Sequence, residues 1–360
     1  TRSVSNFEYI TGKTWGILRL FLGLNLVILS IALIVNITQK GMRIDLLSYV
    51  EYILIITVPT IIFSLGLAFL LMSVIRNQAV TFMVLLGIAA LDMFWLWYRA
   101  GSIFDYMAFG LPVFKSDIIG FDNPGLIFSQ RLFYFFLGTA SIMCTVLIFR
   151  RLPQSKQHTT IAASLLAVSI AASAYFGYHT FAIHNSISRT KKEVIETNRR
   201  HENRKFPTVT DADIDLLHKG KSIEAVAKLV LRNDNNDTLS AYLFSLNPAL
   251  KVSGVISGCK PLRFNSDRFL TDIIPESPLA PGMTDSITIS YSGKINEAFC
   301  APDISDNLKD NINRNAMLTV SKRQYFMNDK VLLLTPETHW YPVASLNYFP
   351  SNPARIKIDF

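Results

Sequence analysis

The chain has 360 residues, half of them hydrophobic, and a net charge of +8. The positive charge does not favour nucleic acid as a partner, because the lysines and arginines form no single basic face. Several of them stand at the ends of apolar runs, where Lys and Arg mark the cytoplasmic loops of membrane proteins. The length allows two or three domains, and a sharp fall in hydrophobicity after about Ile183 indicates two.

The first half of the chain is filled by five long apolar runs. They are Thr14–Val35, Tyr52–Ile75, Ala79–Trp97, Leu132–Phe149 and Thr160–Ile183. Each run is close to the ~20 residues that a helix needs to cross ~30 Å of hydrocarbon. The sequence therefore predicts an all-α domain of about five transmembrane helices in a lipid bilayer, over residues 14–183.

Charges at the ends of these runs orient the predicted helices. If all five runs cross, Lys13, Arg76 and the Arg150-Arg151-x4-Lys156 cluster lie on one side. The other side carries charges in two loops, Lys40 and Arg43 in the first and Arg99, Lys115 and Arg131 in the third. The density of the 150–156 cluster nevertheless favours a cytoplasmic N-terminus. Five crossings then place the second half of the chain outside the cytoplasm.

Asp92 is the carboxylate within an apolar run, in the string LDMFWLW. An acid inside a membrane is costly and is a candidate functional group. Asp92 is also close to the Trp-rich end of the run, where a position in contact with water at the membrane interface would cost little free energy. The sequence shows no intramembrane charge that could pair with it. The stretch Ala100–Gln130 mixes aromatic and charged residues and is either short interfacial helices or an ordered external loop.

Residues 1–13 precede the first run. Ser5 can cap a helix, and Glu8 follows it by three residues, as in a capping box. This spacing predicts a short amphipathic helix at the cytoplasmic face, or simply a cap beside the membrane.

The string RSVSNFEYITGKTWGILRLFLGLNLVIL resembles the cytoplasmic coupling segment and following span of export-type (ABC-2) permeases of ATP-binding-cassette transporters. The matching residues are Arg2, Ser5, Tyr9, Gly12 and Lys13. PTIIFSLGLAFLLMSVIRNQAVTFMVLLG, residues 59–87, is similar to a later helical hairpin of these permeases. The resemblance implies that the five residues contact a cytoplasmic ATPase subunit and that two permeases pair, as a homodimer or otherwise. It also implies an earlier span, and hence a chain cut at its start.

The second half begins with a charged stretch, 184–206, whose spacing is typical of a solvated helix or stalk. Beyond Ile214 the hydrophobic period changes to two. Ser222–Arg232 is predicted to be a strand, Asn233–Asp237 a turn and Thr238–Leu246 an antiparallel partner. Further strands are predicted at Val252–Ser257, Phe269–Ile274 and Ser286–Tyr291. Strands without helices between them predict an all-β antiparallel sandwich or curved sheet over residues 207–360.

This half resembles the N-terminal β-sheet domain of zinc aminopeptidases of the aminopeptidase N type. A Leu-Asn-x-x-Leu-x-Val strand and a Pro-Leu-x-Pro-Gly turn match Leu246, Asn247, Leu250, Val252, Pro278, Leu279, Pro281 and Gly282. LLLTPETHWYPV, residues 332–343, fits the variant fused behind a permease. The whole chain most resembles that bacterial permease–aminopeptidase fusion. This implies the inner membrane, a chain cut at its end, and a zinc catalytic domain after Phe360.

The sequence lacks the motifs that a zinc aminopeptidase or an ATPase needs for catalysis. It contains no His-Glu-x-x-His zinc motif and no Gly-x4-Gly-Lys-Ser/Thr phosphate loop. The chain as given is therefore predicted to be no enzyme and to hold no cofactor, with ATP hydrolysed by a separate subunit. His339, beside two aromatic residues, is more typical of a structural histidine. Cys259 and Cys300 form a disulfide in an oxidising compartment, or remain two thiols.

Three functions are compatible with these observations. The ordered combination of the two resemblances favours a transporter permease with an extracytoplasmic aminopeptidase-like β domain. The first alternative is a membrane-anchored hydrolase or group transferase whose catalytic part lies beyond residue 360. The second is a non-catalytic receptor that binds a peptide at the edges of its sheet. The substrate and the direction of transport are left open.

Overall fold

The computed structural model describes residues 4–39, 44–96, 103–111, 113, 115–116, 120–121, 124–149, 155–300, 325–327 and 329–346. The chain divides into two compact units, and the boundary lies between His184 and Asn185. The first unit is helical and the second is built mainly of antiparallel strands.

Five helices are long and apolar enough to cross a membrane, as predicted. They are α1 Asn6–Thr38, α2 Leu46–Ile75, α3 Gln78–Leu96, α4 Pro124–Ile148 and α5 Lys156–His201, and α5 continues into the second unit. Helices α1, α2 and α3 extend beyond their apolar runs because each begins at a capping side chain, namely Ser5, Asp45 and Asn77.

Helices α2 and α4 cross at two glycines. A Cβ atom on Gly66 would lie 2.3 Å from the carbonyl oxygen of Gly138, and one on Gly138 would lie 2.5 Å from the Cα atom of Phe63. Small residues let two helix backbones approach this closely. Side chains of α1, including Leu20 and Ile28, remain exposed.

A wider, π-helical turn at Ile53–Thr57 precedes Pro59 in α2. Proline has no backbone N–H, so the carbonyl four residues earlier loses its helical partner. The π-helical turn lies where this series of backbone hydrogen bonds is interrupted. A second π-helical turn, Asp92–Leu96, ends α3.

The second unit contains a five-stranded and a three-stranded antiparallel sheet. The strands of these two sheets are β3 Thr208–Lys219, β4 Ser222–Arg232, β5 Tyr242–Ser245, β6 Leu250–Ser257, β7 Lys260–Pro261, β8 Arg263–Asp267, β9 Leu270–Ile274 and β10 Thr284–Gly293. The larger sheet has the strand order β3-β4-β10-β6-β7, and the smaller has the order β5-β9-β8. Two short hairpins complete the described strands: β1 Lys115–Ser116 with β2 Gly120–Phe121, and β11 Tyr325–Met327 with β12 Leu332–Leu334.

The predicted alternation of β4 and β10 is confirmed. In β10, Ile287, Ile289 and Tyr291 are buried on one face, and they join the buried residues of β4 in the main core of this unit. Apolar area removed from water is the main favourable contribution of such a core.

The pairing predicted between Ser222–Arg232 and Thr238–Leu246 is wrong. β4 lies between β3 and β10, and β5 pairs with β9 in the other sheet. The connection is no tight hairpin, because the Asn233 side chain donates to the carbonyls of Asp237 and Leu279, at 2.9 and 2.8 Å. These bonds direct the chain out of the first sheet.

The charged stretch 184–206 is only half solvated. Its first part is the end of α5, whose Val194 and Thr197 are buried. Val194 packs with Leu243 and Phe269 in a second apolar cluster of the β unit. Exposed side chains of the same stretch form ion pairs such as Arg189–Glu193, 3.0 Å apart. The stretch is therefore helical as far as His201, and its side chains around Val194 and Thr197 are buried rather than solvated.

Candidate functional sites

The predicted capping box at the start of the chain is confirmed. The Ser5 hydroxyl accepts from the Glu8 backbone N–H at 3.2 Å, and the Glu8 carboxylate accepts from the Ser5 N–H at 2.8 Å. The prediction of a separate short helix is wrong, because helix α1 runs without a break from Asn6 to Thr38. Arg2 lies outside the described residues.

The first turns of α1 are attached to the ends of two other helices. Asn6 donates its side-chain amide to the carbonyl of Phe149, just after α4. The ring of Phe7 stacks on His158 of α5, with the centroids 5.5 Å apart. The start of α1 is therefore fixed to the α4 and α5 ends at this end of the bundle.

One face of this segment is open to solvent. Glu8, Tyr9, Gly12 and Lys13 are exposed, and no atom lies within 4 Å of the Cβ position of Gly12. The Lys13 ammonium lies 5.6 Å from the centroid of the Tyr9 ring. These four residues, at helical spacing, are called the N-terminal face below. Ser5 is buried and acts as the helix cap.

A cluster of charged side chains is buried inside the helical unit. It centres on Arg131 of α4, which is 2% exposed. The Arg131 guanidinium donates twice to the Tyr106 carbonyl, at 3.0 and 3.1 Å, and once to the Thr60 hydroxyl, at 2.9 Å. The sequence placed Arg131 in an external loop; α4 begins at Pro124 instead and carries Arg131 inward. Proline is favoured in the first turn of a helix, so the signal was present.

Two carboxylates complete this arginine cluster, and both are 0% exposed. Asp105 accepts from the backbone N–H groups of Phe109 and Gly110, at 2.8 and 2.7 Å. Asp92 accepts from the Met107 N–H at 3.2 Å. The expectation of a wetted Asp92 is wrong, because the carboxylate is buried and accepts from the backbone of segment 103–111.

The arginine cluster is electrostatically strained. Burial raises the pKa of Asp105, whereas the Gly110 and Phe109 N–H groups and the Arg131 charge lower it. Among the described residues, Asp92 Oδ1 and Arg131 Nε are buried without a hydrogen-bond partner. Buried charges that are imperfectly paired cost stability, and intramembrane charges concentrate at functional positions. The cluster is therefore the candidate functional site within the bundle.

In the β unit, the structure gives His339 a structural role. Its ring Nδ1 lies 2.8 Å from the Ser245 hydroxyl, at a short 3₁₀ turn, Pro336–Thr338, rather than on a strand. Cys259 is an exposed free cysteine, and the side chain of Cys300 lies outside the described part, so their pairing stays a prediction. No three His, Cys, Asp or Glu side chains among the described residues are placed to hold a metal, so these residues do not fit zinc.

No known protein family and no curated protein matches the chain. Among solved structures it is similar to an M1 zinc metallopeptidase from Deinococcus radiodurans, at 18% identity and a TM-score of 0.24, over 26% of this chain and 21% of that one. A two-domain M1 zinc metallopeptidase mutant bound to L-arginine gives 16% identity and a TM-score of 0.29, over 39% and 29%. The chain thus spans less than a third of these relatives, and a likeness this low carries no argument about function.

Proposed function

We propose that the chain is the membrane permease subunit of an ABC-type transporter in a bacterial inner membrane. Its N-terminus is cytoplasmic, a separate subunit hydrolyses ATP, and the β unit is an extracytoplasmic aminopeptidase-like domain. The five apolar helices and the resemblance of residues 2–13 to a coupling segment support this proposal. The chain itself is non-catalytic in this proposal.

The observation that carries the proposal is the construction of the N-terminal face. Its exposed residues stand on a capped helix end that Asn6 and Phe7 hold against the ends of α4 and α5. At 1.5 Å per residue, the uninterrupted α1 is about 50 Å long, enough to cross the hydrocarbon core. Because α1 has no break that could act as a hinge, a displacement that an ATPase imposed on the N-terminal face would be transmitted to the rest of the bundle.

The exposed apolar side chains of the helices need a non-aqueous cover. Leu24, Ile28 and Ile31 of α1 are examples. We assign that cover to lipid and to a second permease subunit, a homodimer partner or a paired chain. Helices apolar on their outer surface are stable in hydrocarbon because their backbone groups are satisfied internally.

The contact is tested by co-purification of the ATPase subunit with the full chain from native membranes. Replacing Tyr9→Ala and Lys13→Glu together removes one ring and reverses one charge on the exposed face. We expect at least a tenfold loss of bound ATPase, since about 1.4 kcal/mol of interface energy is tenfold in affinity. Lys219→Glu, an exposed reversal on β3, is the matched control and leaves the yield unchanged. Undiminished binding of the double variant would contradict the proposal.

The orientation is tested separately with the exposed thiol of Cys259. In spheroplasts, a membrane-impermeant maleimide is expected to label the chain through this residue, and Cys259→Ser to lose that labelling. Labelling of Cys259 only after the membrane is broken would place the β unit in the cytoplasm and overturn the proposed topology.

A further inference from the structure

The β unit leaves the edges of two strands uncovered. β8 is the outer strand of the three-stranded sheet. On the outer side of β6, the two-residue strand β7 pairs only with Ile256 and Ser257. Residues 251–254 of β6 are therefore paired with no strand on that side, within the part of the chain that the structure describes. Uncovered strand edges present backbone N–H and C=O groups that can pair with another chain.

These two strands line a groove of about 270 Å³. Its apolar lining includes Leu250 and Val252 of β6 and Phe264 of β8. The register of β6 against β10 shifts at Ser253, a bulge of the kind that bends an edge strand. The volume is smaller than that of a typical small-molecule pocket, so it suits the end of a chain rather than a whole cofactor.

The charge of the groove is positive. Lys251 and Arg268 are among its lining residues, which include no Asp or Glu. Neither side chain has a carboxylate partner among the described residues. Arg268 bonds to neutral acceptors, the Thr197 hydroxyl at 3.3 Å and the Glu193 carbonyl at 3.5 Å. Its backbone is left-handed, with φ +57°, at the tip between β8 and β9. Lys251 alternates with Leu250 and Val252 along β6, so its exposed charge stands on the other side of the strand from these apolar residues. An anionic group at the strand edge, attached to an apolar one, complements this combination.

We propose that this groove binds the C-terminal end of an extended peptide. The peptide backbone pairs with the uncovered edge of β6, its last side chain lies on Val252 and Phe264, and Lys251 and Arg268 attract its free carboxylate. Strand addition with carboxylate capture is an established way to recognise peptides. A lipid headgroup would use the charges but not the strand edge, so the combination favours a peptide. This inference does not depend on the ATPase contact.

The test uses the full chain in nanodiscs without anionic lipid, and a fluorescein-labelled pentapeptide, Gly-Ser-Thr-Val-Val. One form has a free C-terminal carboxylate and the other a C-terminal amide. Fluorescence anisotropy is expected to show saturable binding of the acid and at least tenfold weaker binding of the amide.

Two variants locate the site. Lys251→Glu reverses an exposed charge, and Arg268→Gly removes a charge while glycine tolerates the left-handed backbone. Together they are expected to weaken binding of the acid at least tenfold. Lys228→Glu on β4, an exposed reversal outside the groove, leaves it unchanged. Hydrogen exchange of β6 and β8 confirms that the variants are folded.

Three results would overturn the inference: no binding of the acid, equal binding of acid and amide, or equal binding by the double variant. Vesicles containing phosphatidylglycerol serve as the competing probe. If they bind through Lys251 and Arg268 while the peptide does not, the groove is a lipid site and the peptide proposal fails. The acid–amide comparison needs no variant, so a folding defect cannot obscure the outcome.

Discussion

The two units bury polar groups in different ways. In the β unit, the buried Asn247 accepts from the N–H of Asn296 at 2.9 Å and donates to the carbonyl of Thr338 at 3.0 Å. It is a neutral amide that ties loops together. In the helical unit, the buried groups Arg131, Asp92 and Asp105 carry charge, and some of their atoms lack partners among the described residues.

This difference distinguishes a buried group that serves the structure, Asn247, from buried groups that are candidates for function, those of the arginine cluster. A satisfied neutral amide stabilises the loops it joins, because both its donor and its acceptor are used. A buried charge cluster is weak support for stability and would often be replaced by apolar residues without loss. The Asn247 amide of the β unit thus stabilises the loops it joins, whereas the bundle carries a costly feature that packing alone does not require.

The largest effect is expected at the arginine cluster. Arg131→Met removes the buried positive charge near Asp92 and Asp105, and a buried charge left uncompensated in this way costs about 3–5 kcal/mol. Hydrogen exchange measured by mass spectrometry reports on each unit separately. We expect faster exchange in 103–111 and α4, and no change in β3–β10.

Two further variants sharpen this result. Asp105→Asn in the same chain removes one excess negative charge and is expected to recover part of the loss. Arg19→Met is the control, because Arg19 is exposed and lies over the Trp15 ring at 4.8 Å. If Arg131→Met exchanged no faster than Arg19→Met, the arginine cluster would be ordinary packing and the contrast between the units would disappear.

A comparable effect confined to the other unit is expected from Leu229→Ala. Leu229 is 1% exposed in the core face of β4, and cavity-forming substitutions of this kind cost about 2–5 kcal/mol. Val226 in the same strand is 36% exposed, so Val226→Ala is expected to cost about 0.5 kcal/mol or less. Denaturant unfolding followed by exchange in β3–β10 measures both. Equal effects would mean that the alternation of β4 does not define the core.

A smaller effect is expected where α2 and α4 cross. Gly138→Ala would push its Cβ atom into the backbone of Phe63, and overpacking typically costs about 1–3 kcal/mol. Gly87→Ala is the matched helical control, since nothing lies within 4 Å of its Cβ position, and it is expected to stabilise by up to about 1 kcal/mol. Thermal unfolding of the bundle in detergent distinguishes the two. Identical melting temperatures would show that the glycine crossing is not close-packed.

The accuracy of the sequence predictions followed the strength of the local pattern. Strand β4 has the predicted bounds, Ser222–Arg232, because period-two alternation and the following turn mark both ends. Strand β3 was not assigned, since Asp211, Asp213 and Asp215 make it polar along an edge. The partner of β5 was wrong because pairing depends on where the connection at Asn233 directs the chain.

The candidate sites, too, were predicted where their hydrogen bonds are local in sequence and missed where they join distant segments. The capping box of Ser5 and Glu8 was predicted because its bonds are local. The arginine cluster was missed because it joins Thr60, Asp92, Tyr106 and Arg131, which are distant in sequence.

By itself, the sequence determined that five helices are apolar enough to cross a membrane, that strands follow them, and where several caps and turns stand. These features depend on hydrophobic period and on bonds between near neighbours. Only the tertiary structure decided which helix faces are buried, because α2 is apolar on all sides and no periodicity marks an inner face. It alone also set the strand order, placed Arg131 against the Tyr106 carbonyl, and left the edges of β6 and β8 unpaired, since each results from contacts between distant segments.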